Sequence, residues 1–448
     1  MKKRKNILRM SHIQIIALGF FLIIMAGTAL LMLPISTRSG QGTTFQDALF
    51  TATSASCVTG LVVQDTASYW TGFGQAVILV MIQIGGLGFM TIATLFFLLL
   101  RRRVHLRERE LLTESISVNQ VGGIMRLAKR ILICTFLMEG IGALLLMIRF
   151  VPSYGPKGIW MSVFHSVSAF CNGGFDLMGQ ETGAYSSLTA FSDDWLVSLV
   201  IMALIVIGGV GFVVWDDVLN YRLQFKRYRL HSKMDLFLTT VLIFGGALVF
   251  LIVERNTTGA GLSMGDQILA ALFDSITART AGFNTVDTAS LSDTGKLVTI
   301  ALMFIGGSPG STAGGVKTTT LMVLLLFSFS YMRKNKGTSV FGRSLEEDTL
   351  RKASAVFFTN LKLVLGVTIL ISSIQTLPML DLLFETFSAI GTVGMSTGLT
   401  RDLNEVSRML IIFLMYCGRV GSLSFATALA GQKKTVAVRD AVEKITIG

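Results

Sequence analysis

The tripeptide Thr392-Val393-Gly394 closes a short apolar stretch that starts at Leu382. An apolar helix of about ten residues is too short to cross a bilayer and reads as a re-entrant segment. An extended run at the end of such a helix can turn its backbone carbonyls inward to replace the water around a cation, as a potassium-selective filter requires. Glycine supplies the backbone angles that side chains forbid. One tripeptide means little in a chain with 45 glycines, but this one recurs. Related tetrapeptides are Val58-Thr59-Gly60-Leu61, Asn172-Gly173-Gly174-Phe175, Thr280-Ala281-Gly282-Phe283 and Thr392-Val393-Gly394-Met395. Their third-position glycines lie 114, 108 and 112 residues apart. Phe50, Phe164 and Phe384 each stand ten residues before their glycine, and Phe273 stands nine before its own. None of these residues is acidic, so any cation here must be selected by backbone oxygens rather than by a ring of carboxylates.

A second candidate is the run Gly306-Gly307-Ser308-Pro309-Gly310-Ser311-Thr312-Ala313-Gly314-Gly315, followed by Val316 and Lys317. It nearly fits a phosphate loop, but Val316 separates the last glycine from the lysine and no strand precedes it, which argues against nucleotide. It interrupts an apolar segment, and irregular backbone at membrane depth survives only inside protein or along a watery cavity. A plain packing kink is the bland alternative. Two cations accompany it, Lys317 and Arg419, the latter within Cys417-Gly418-Arg419-Val420-Gly421. A charge at the centre of a spanning helix costs about 2.5–3.5 kcal/mol on insertion scales, so both should face an interior or a cavity. Arg279 is expected to pair with Asp274 or Glu385, Glu139 to partner a buried cation, and His165 to be a hydrogen-bonded core residue.

The elements that position these residues follow one order: long apolar run, short run, long run. The first unit has Ile13–Leu33, Phe45–Ala55 capped by Thr43 or Thr44, and Gln75–Leu100. The second has Ile131–Val151, Ile159–Phe170 and Trp195–Trp215, and the third has Leu236–Val253, Asp266–Ala278 and the interrupted Leu297–Met332. The fourth has Ala353–Leu377, Leu380–Ile390 and Met409–Ala430. The units therefore occupy 13–100, 131–218, 234–332 and 353–431, with a basic tail at 1–12, linkers at 101–130, 219–233 and 333–352, and a tail at 432–448. The first run ends in Leu33-Pro34 without a small-residue cleavage site, so it reads as a span and not as a signal peptide. The expected fold is an all-α polytopic membrane protein: four parallel helix–pore helix–helix repeats in fourfold pseudosymmetry, with eight transmembrane helices and four re-entrant ones.

Composition agrees. The chain is 52% hydrophobic and 15% charged, where soluble proteins carry about 25%; mean hydropathy is +0.65. A net charge of +12 could suggest nucleic acid, but 28 of the 39 Lys and Arg residues fall in six clusters at the ends of apolar runs. That is the positive-inside signal, which puts both termini in the cytoplasm and removes the nucleic-acid reading. Cys57, Cys134, Cys171 and Cys417 show no ligand or disulfide spacing. An alternating-access K+/Na+ or K+/H+ symporter would need ionisable ligands in register at mid-membrane, and a membrane enzyme a cluster of His, Asp or Cys; the embedded segments offer neither.

The fourfold pattern, its glycines and the run from Gly306 to Lys317 resemble the Trk/Ktr/HKT superfamily of potassium transporters over essentially the whole chain. Within it the likeness is to the Ktr-type membrane subunit of the KtrB or KtrD kind, without the extra helices that precede the first repeat in TrkH. The resemblance implies that the four tetrapeptides form a K+ filter, with Gly60 where sodium-selective members carry serine. It implies that Gly306–Gly315 is a gate beneath that filter, and that Arg419 reaches the loop to help hold the pathway shut. It further implies a homodimer in a bacterial plasma membrane on a cytoplasmic KtrA/KtrC-like ring, stimulation by Na+, ATP or ADP on the partner subunit only, and no bound cofactor or enzymatic activity. Asn172-Gly173 in the second tetrapeptide departs from the Thr-x-Gly form.

Overall fold

The computed structural model describes residues 11–88, 91–92, 106–115, 123–222, 224–334 and 337–422. The parts of the expected spans at 93–100 and 423–430, most of both tails and parts of the 101–130 linker lie outside the described residues.

Long apolar runs form helices with polar caps. Helix α1 (His12–Leu31) starts in a capping box, with Ser11 Oγ accepting from Gln14 N–H at 3.2 Å and the Gln14 side chain accepting from Ser11 N–H at 2.9 Å. Thr44 caps the short helix α2 (Phe45–Ser56), accepting from Asp47 N–H at 3.1 Å. After the one-turn α3 (Thr66–Tyr69) come α4 (Gly72–Leu87) and, in the first linker, α5 (Leu106–Ser115). The second unit has α6 (Ile124–Tyr154), α7 (Lys157–Phe170), α8 (Trp195–Gly209) and α9 (Phe212–Tyr221), so its first helix begins inside the expected linker. The third has α10 (Leu230–Val253), α11 (Met264–Thr277), α12 (Asp293–Phe304) and α13 (Thr318–Met332). A two-residue hairpin, Ser339–Val340 with Arg343–Ser344, precedes α14 (Glu347–Ile374), α15 (Met379–Gly391) and α16 (Glu405–Val420).

Packing closes these units on one another. Each short helix lies against the long helix before it, α2 on α1, α7 on α6, α11 on α10 and α15 on α14. The helix after each short one also packs against the next unit's short helix: α4 on α7, α8 on α11, α12 on α15, and α16 back onto α2. The last unit thus meets the first. Phe50, Phe164, Phe273 and Phe384 are all completely buried, one in each short helix, which explains their register in the sequence. Among the described residues, α1, α6, α10 and α14 are each long and apolar enough to cross a bilayer, and α8 with α9 would qualify as a pair bent by 98°.

The third unit's second helix is interrupted as expected, but the expectation of a continuous second helix in the first, second and fourth units is corrected. Trp195–Trp215 is broken at Val210-Gly211, and α4 and α16 end at Gly88 (φ 78°) and Gly421 (φ 95°). All four breaks share a glycine pattern: Gly85-Gly86-Leu87-Gly88, Gly208-Gly209-Val210-Gly211, Gly306-Gly307 and Gly418-Arg419-Val420-Gly421. Gly85, Gly208 and Gly418 press against the terminal carbonyls of Ser56, Phe170 and Ile390, leaving no room for a β-carbon. Close approach of backbones is the usual role of small residues in helix packing within lipid.

Gly208→Leu is therefore expected to lower thermal stability in detergent by about 1–3 kcal/mol, the usual cost of overpacking, or to prevent folding. Gly245→Ala in α10 opens onto free space and should be neutral or stabilising by about 0.5–1 kcal/mol. Thermal unfolding of both variants checks the contrast.

Candidate functional site

The four tetrapeptides meet. Each begins with a residue in the left-handed region, Val58 (φ 55°), Asn172 (φ 59°), Thr280 (φ 76°) and Thr392 (φ 51°). Two residues later stands a left-handed glycine, Gly60 (93°), Gly174 (66°), Gly282 (82°) and Gly394 (93°). A β-carbon on Gly60 would lie 2.7 Å from the Gly173 oxygen, and one on Gly174 would lie 2.8 Å from the Ala281 oxygen. One on Gly282 would collide with the Val393 oxygen, and one on Gly394 with the Thr59 oxygen. The glycines therefore form a closed ring in chain order, each facing the carbonyl that precedes the next unit's glycine. Leu61, Phe175, Phe283 and Met395 complete the tetrapeptides as buried side chains.

Buried hydroxyls at the ends of the short helices brace this ring, and the sequence reading missed them. Ser54 Oγ accepts from Gly60 N–H at 3.1 Å, and Ser388 Oγ accepts from Gly394 N–H at 3.1 Å. Ser168 Oγ accepts from Phe175 N–H at 3.0 Å and donates to the Phe175 carbonyl at 2.8 Å, while Thr277 donates to the Phe283 carbonyl at 2.6 Å. Three of these residues stand six before their glycine, and Thr277 stands five before its own. The same one-residue shift marks Phe273, so the signal was in the sequence.

Outside the ring is a cavity of about 310 Å³ to which all four glycines contribute. Asp65, Asp176 and Asp287 line it against a single cation, Arg401, whose guanidinium lies 4.3 Å from the Tyr185 ring centroid. Such an excess of carboxylates in a recess concentrates cations at its floor.

The run from Gly306 to Gly315 lies against the other elements of this centre. A β-carbon on Gly314 would strike the Thr392 hydroxyl, and Thr312 Oγ1 donates to the Phe170 carbonyl at 3.2 Å. Ser308 and Thr312 N–H groups donate to Gly209 and Gly208 carbonyls at 3.1 and 3.2 Å, and Phe212 N–H donates to Gly310 at 2.8 Å. Arg419 Nη1 donates to the Thr312 carbonyl; its Nη2 donates to the Gly85 carbonyl and, at 3.1 Å, to that of Gly86. Arg419 occupies the place where the other three breaks carry a glycine, and ties the loop to the end of α4. Lys317 Nζ donates to Ala313 and Gly314 carbonyls at 2.7 and 3.3 Å. Both cations are held by loop carbonyls.

Asp235, fully buried in α10, accepts from the hydroxyls of Ser308 and Thr318, near the start of the loop and just beyond its end. It was missed, although a lone acid in an apolar span is the kind of residue that marks function. Arg279 pairs with neither Asp274 nor Glu385; it donates to Thr239 Oγ1 and to the Gly306 carbonyl, both at 3.4 Å. Glu385 instead accepts from Ser396, from Thr397 N–H at 3.1 Å and from Thr400 at 2.6 Å, holding the segment beyond the ring. Glu139 meets Gln83 at 3.3 Å and Cys171 at 3.8 Å rather than a cation. His165 is a core residue bonded to the Met161 carbonyl at 2.7 Å and the Leu177 N–H at 3.3 Å, as expected.

Removing one brace should be costly. Ser388→Ala leaves a buried N–H at Gly394 without its acceptor and is expected to destabilise by about 1–3 kcal/mol in thermal unfolding. Ser388→Thr, which keeps the hydroxyl as Thr277 does, should lose less.

The family model described as "TrkH: Cation transport protein" matches residues 2–436. The chain is 42% identical over 437 residues to the potassium/sodium uptake protein NtpJ of Enterococcus hirae, covering 96% of this chain and 95% of that one. It is 42% identical over 421 residues to the Ktr system potassium uptake protein B of Bacillus subtilis, covering 93% and 92%. With the Ktr system potassium uptake protein D of the same species it shares 35% identity over 453 residues, covering 100% of both. The crystal structure of the potassium transporter TrkH from Vibrio parahaemolyticus superposes with a TM-score of 0.74 at 17% identity, over 95% of this chain and 86% of that one, a likeness of fold.

Proposed function

The chain belongs to the TrkH family of cation transport proteins, membrane transporters rather than enzymes, and on that premise we propose that it carries potassium into the cell through the glycine ring. The observation that carries this reading is the closed ring of Gly60, Gly174, Gly282 and Gly394 with a neighbouring carbonyl oxygen against each glycine. Carbonyls held in place suit a weakly hydrated monovalent cation, which must exchange its water for them. The short helices α2, α7, α11 and α15 end at the ring, so the partial negative charge of their C-termini adds to the attraction. The four units are read as parallel repeats about one axis, contributing eight transmembrane and four re-entrant helices. The packing of α16 back onto α2 supports that arrangement. The positive-inside charge pattern supports cytoplasmic termini in a bacterial plasma membrane.

Gly306–Gly315 is read as the gate. It lies against Thr392 of the ring and is held by Arg419, Lys317 and Asp235 through hydrogen bonds. Resemblance to Ktr subunits supports a homodimer on a KtrA/KtrC-like nucleotide-binding ring and stimulation by sodium. An alternating-access symporter fits less well, because the buried acids Asp235, Glu139 and Glu385 are already engaged by protein donors.

Expression of the chain, with a regulatory partner, in a bacterium lacking potassium uptake should restore growth at low potassium; failure in both the presence and absence of a partner overturns the reading. Gly394→Ser should reduce discrimination of potassium over sodium in flux assays, and intact selectivity would remove that residue from the filter. Arg419→Ala should raise potassium flux at fixed concentration, since the loop loses its tie to α4. Unchanged flux at equal expression would sink the gate assignment for Arg419. Asp235→Asn should also weaken the loop's anchorage, read as faster hydrogen exchange at residues 308–318.

A further inference from the structure

The bend between α8 and α9 encloses a groove that the ion pathway does not use. A cavity of about 290 Å³ lies in this elbow, between Val206 and Val210 on one side, Trp215 and Val218 of α9 on another, and Cys134 of α6 with Leu236 of α10. Its lining is apolar, and the one polar atom of Trp215 is already satisfied, donating to the Ile207 carbonyl at 3.0 Å. Val218 and its neighbour Leu219 are exposed, so the groove opens at the surface of the helical bundle.

Cations stand at its rim on three separate elements. Arg130 lies four residues before Cys134, Lys233 three before Leu236, and Arg222 four after Val218, so each is about one helical turn from a groove residue. Arg130 is partly neutralised by Asp216, at 2.6 Å. Among the described residues the Lys233 ammonium donates to the Lys226 carbonyl alone, at 2.8 Å, and lies 5.9 Å from the Phe225 ring, while Arg222 is exposed. Lys226, Arg227 and Arg229 add further positive charge against the two acids Asp216 and Asp217.

We propose that this elbow binds one acyl chain of an anionic phospholipid, with the headgroup phosphate held by Arg222 and Lys233. An apolar slot beside cations at the end of a helical bundle matches both ends of such a molecule. A second copy of this chain fits poorly, because a twofold contact would set the same cations against themselves. The site also bears on the loop, since Phe212 at the start of α9 donates to Gly310.

Trp215 provides the readout, because a brominated acyl chain quenches indole fluorescence on contact. The protein is reconstituted in phosphatidylcholine vesicles with rising amounts of brominated phosphatidylglycerol or brominated phosphatidylcholine. The Trp215 signal is taken as the difference between wild type and Trp215→Phe. Half-quenching by the anionic lipid is expected at a mole fraction at least about fivefold lower than by the neutral one. The double variant Arg222→Gln, Lys233→Gln should abolish that preference while still being quenched by brominated phosphatidylcholine as wild type is, which shows the groove intact. Equal potency of the two lipids on wild type, a preference that survives the double variant, or a Trp215 signal that neither lipid quenches because another copy covers the groove would each overturn the proposal.

Discussion

The structure depends on how closely four stretches of backbone approach one another at Gly60, Gly174, Gly282 and Gly394. No β-carbon fits at any of them without meeting a carbonyl oxygen of the neighbouring unit. This is a constraint on all four units together, since a shift of one short helix would open two contacts of the ring. It accounts for the deep burial of Phe50, Phe164, Phe273 and Phe384, which hold the short helices in a close-packed core. It also accounts for the small residues along the helices that follow, because Gly85, Gly208 and Gly418 let those helices touch the ends of the short ones.

Such an approach has a conformational cost. Val58, Thr280 and Thr392 adopt left-handed angles that β-branched residues rarely tolerate, at about 1–3 kcal/mol each, whereas Asn172 takes the same angles more readily. The surroundings must over-determine that geometry. The buried hydroxyls of Ser54, Ser168, Thr277 and Ser388 do so from one side, each bonded to the glycine or to the residue after it. The donor and acceptor roles differ between units, so the ring is alike in backbone while being uneven in its support.

The glycine-rich loop is organised by a different balance. Arg419 and Lys317 are solvated by backbone carbonyls of the loop and of α4, without a carboxylate in contact among the described residues. Asp235 fastens Ser308 and Thr318 in a more definite way, through two hydroxyl donors to one buried carboxylate. The loop is thus fixed near both ends by one carboxylate and held in its middle by contacts between two cations and backbone carbonyls.

Much of this was legible in the residues. The four glycines, the phenylalanine register, the order of long and short helices and the unusual loop are periodic or compositional features, and local sequence carries both. The Asp235 contacts, the partners of Arg279 and Glu139, and the breaks in the second helices of the first, second and fourth units were not legible, because they arise from contacts between units far apart in the chain. Sequence could mark Gly88, Val210-Gly211 and Gly421 as weak points but could not say that the helices turn there, since that depends on what packs below the ring. By itself the sequence determined that four equivalent segments exist and that each can adopt a left-handed glycine. Only the tertiary structure decided that the four glycines face one another, because helix period and glycine permissiveness act locally, whereas the closing contact of α16 on α2 joins the two ends of the chain.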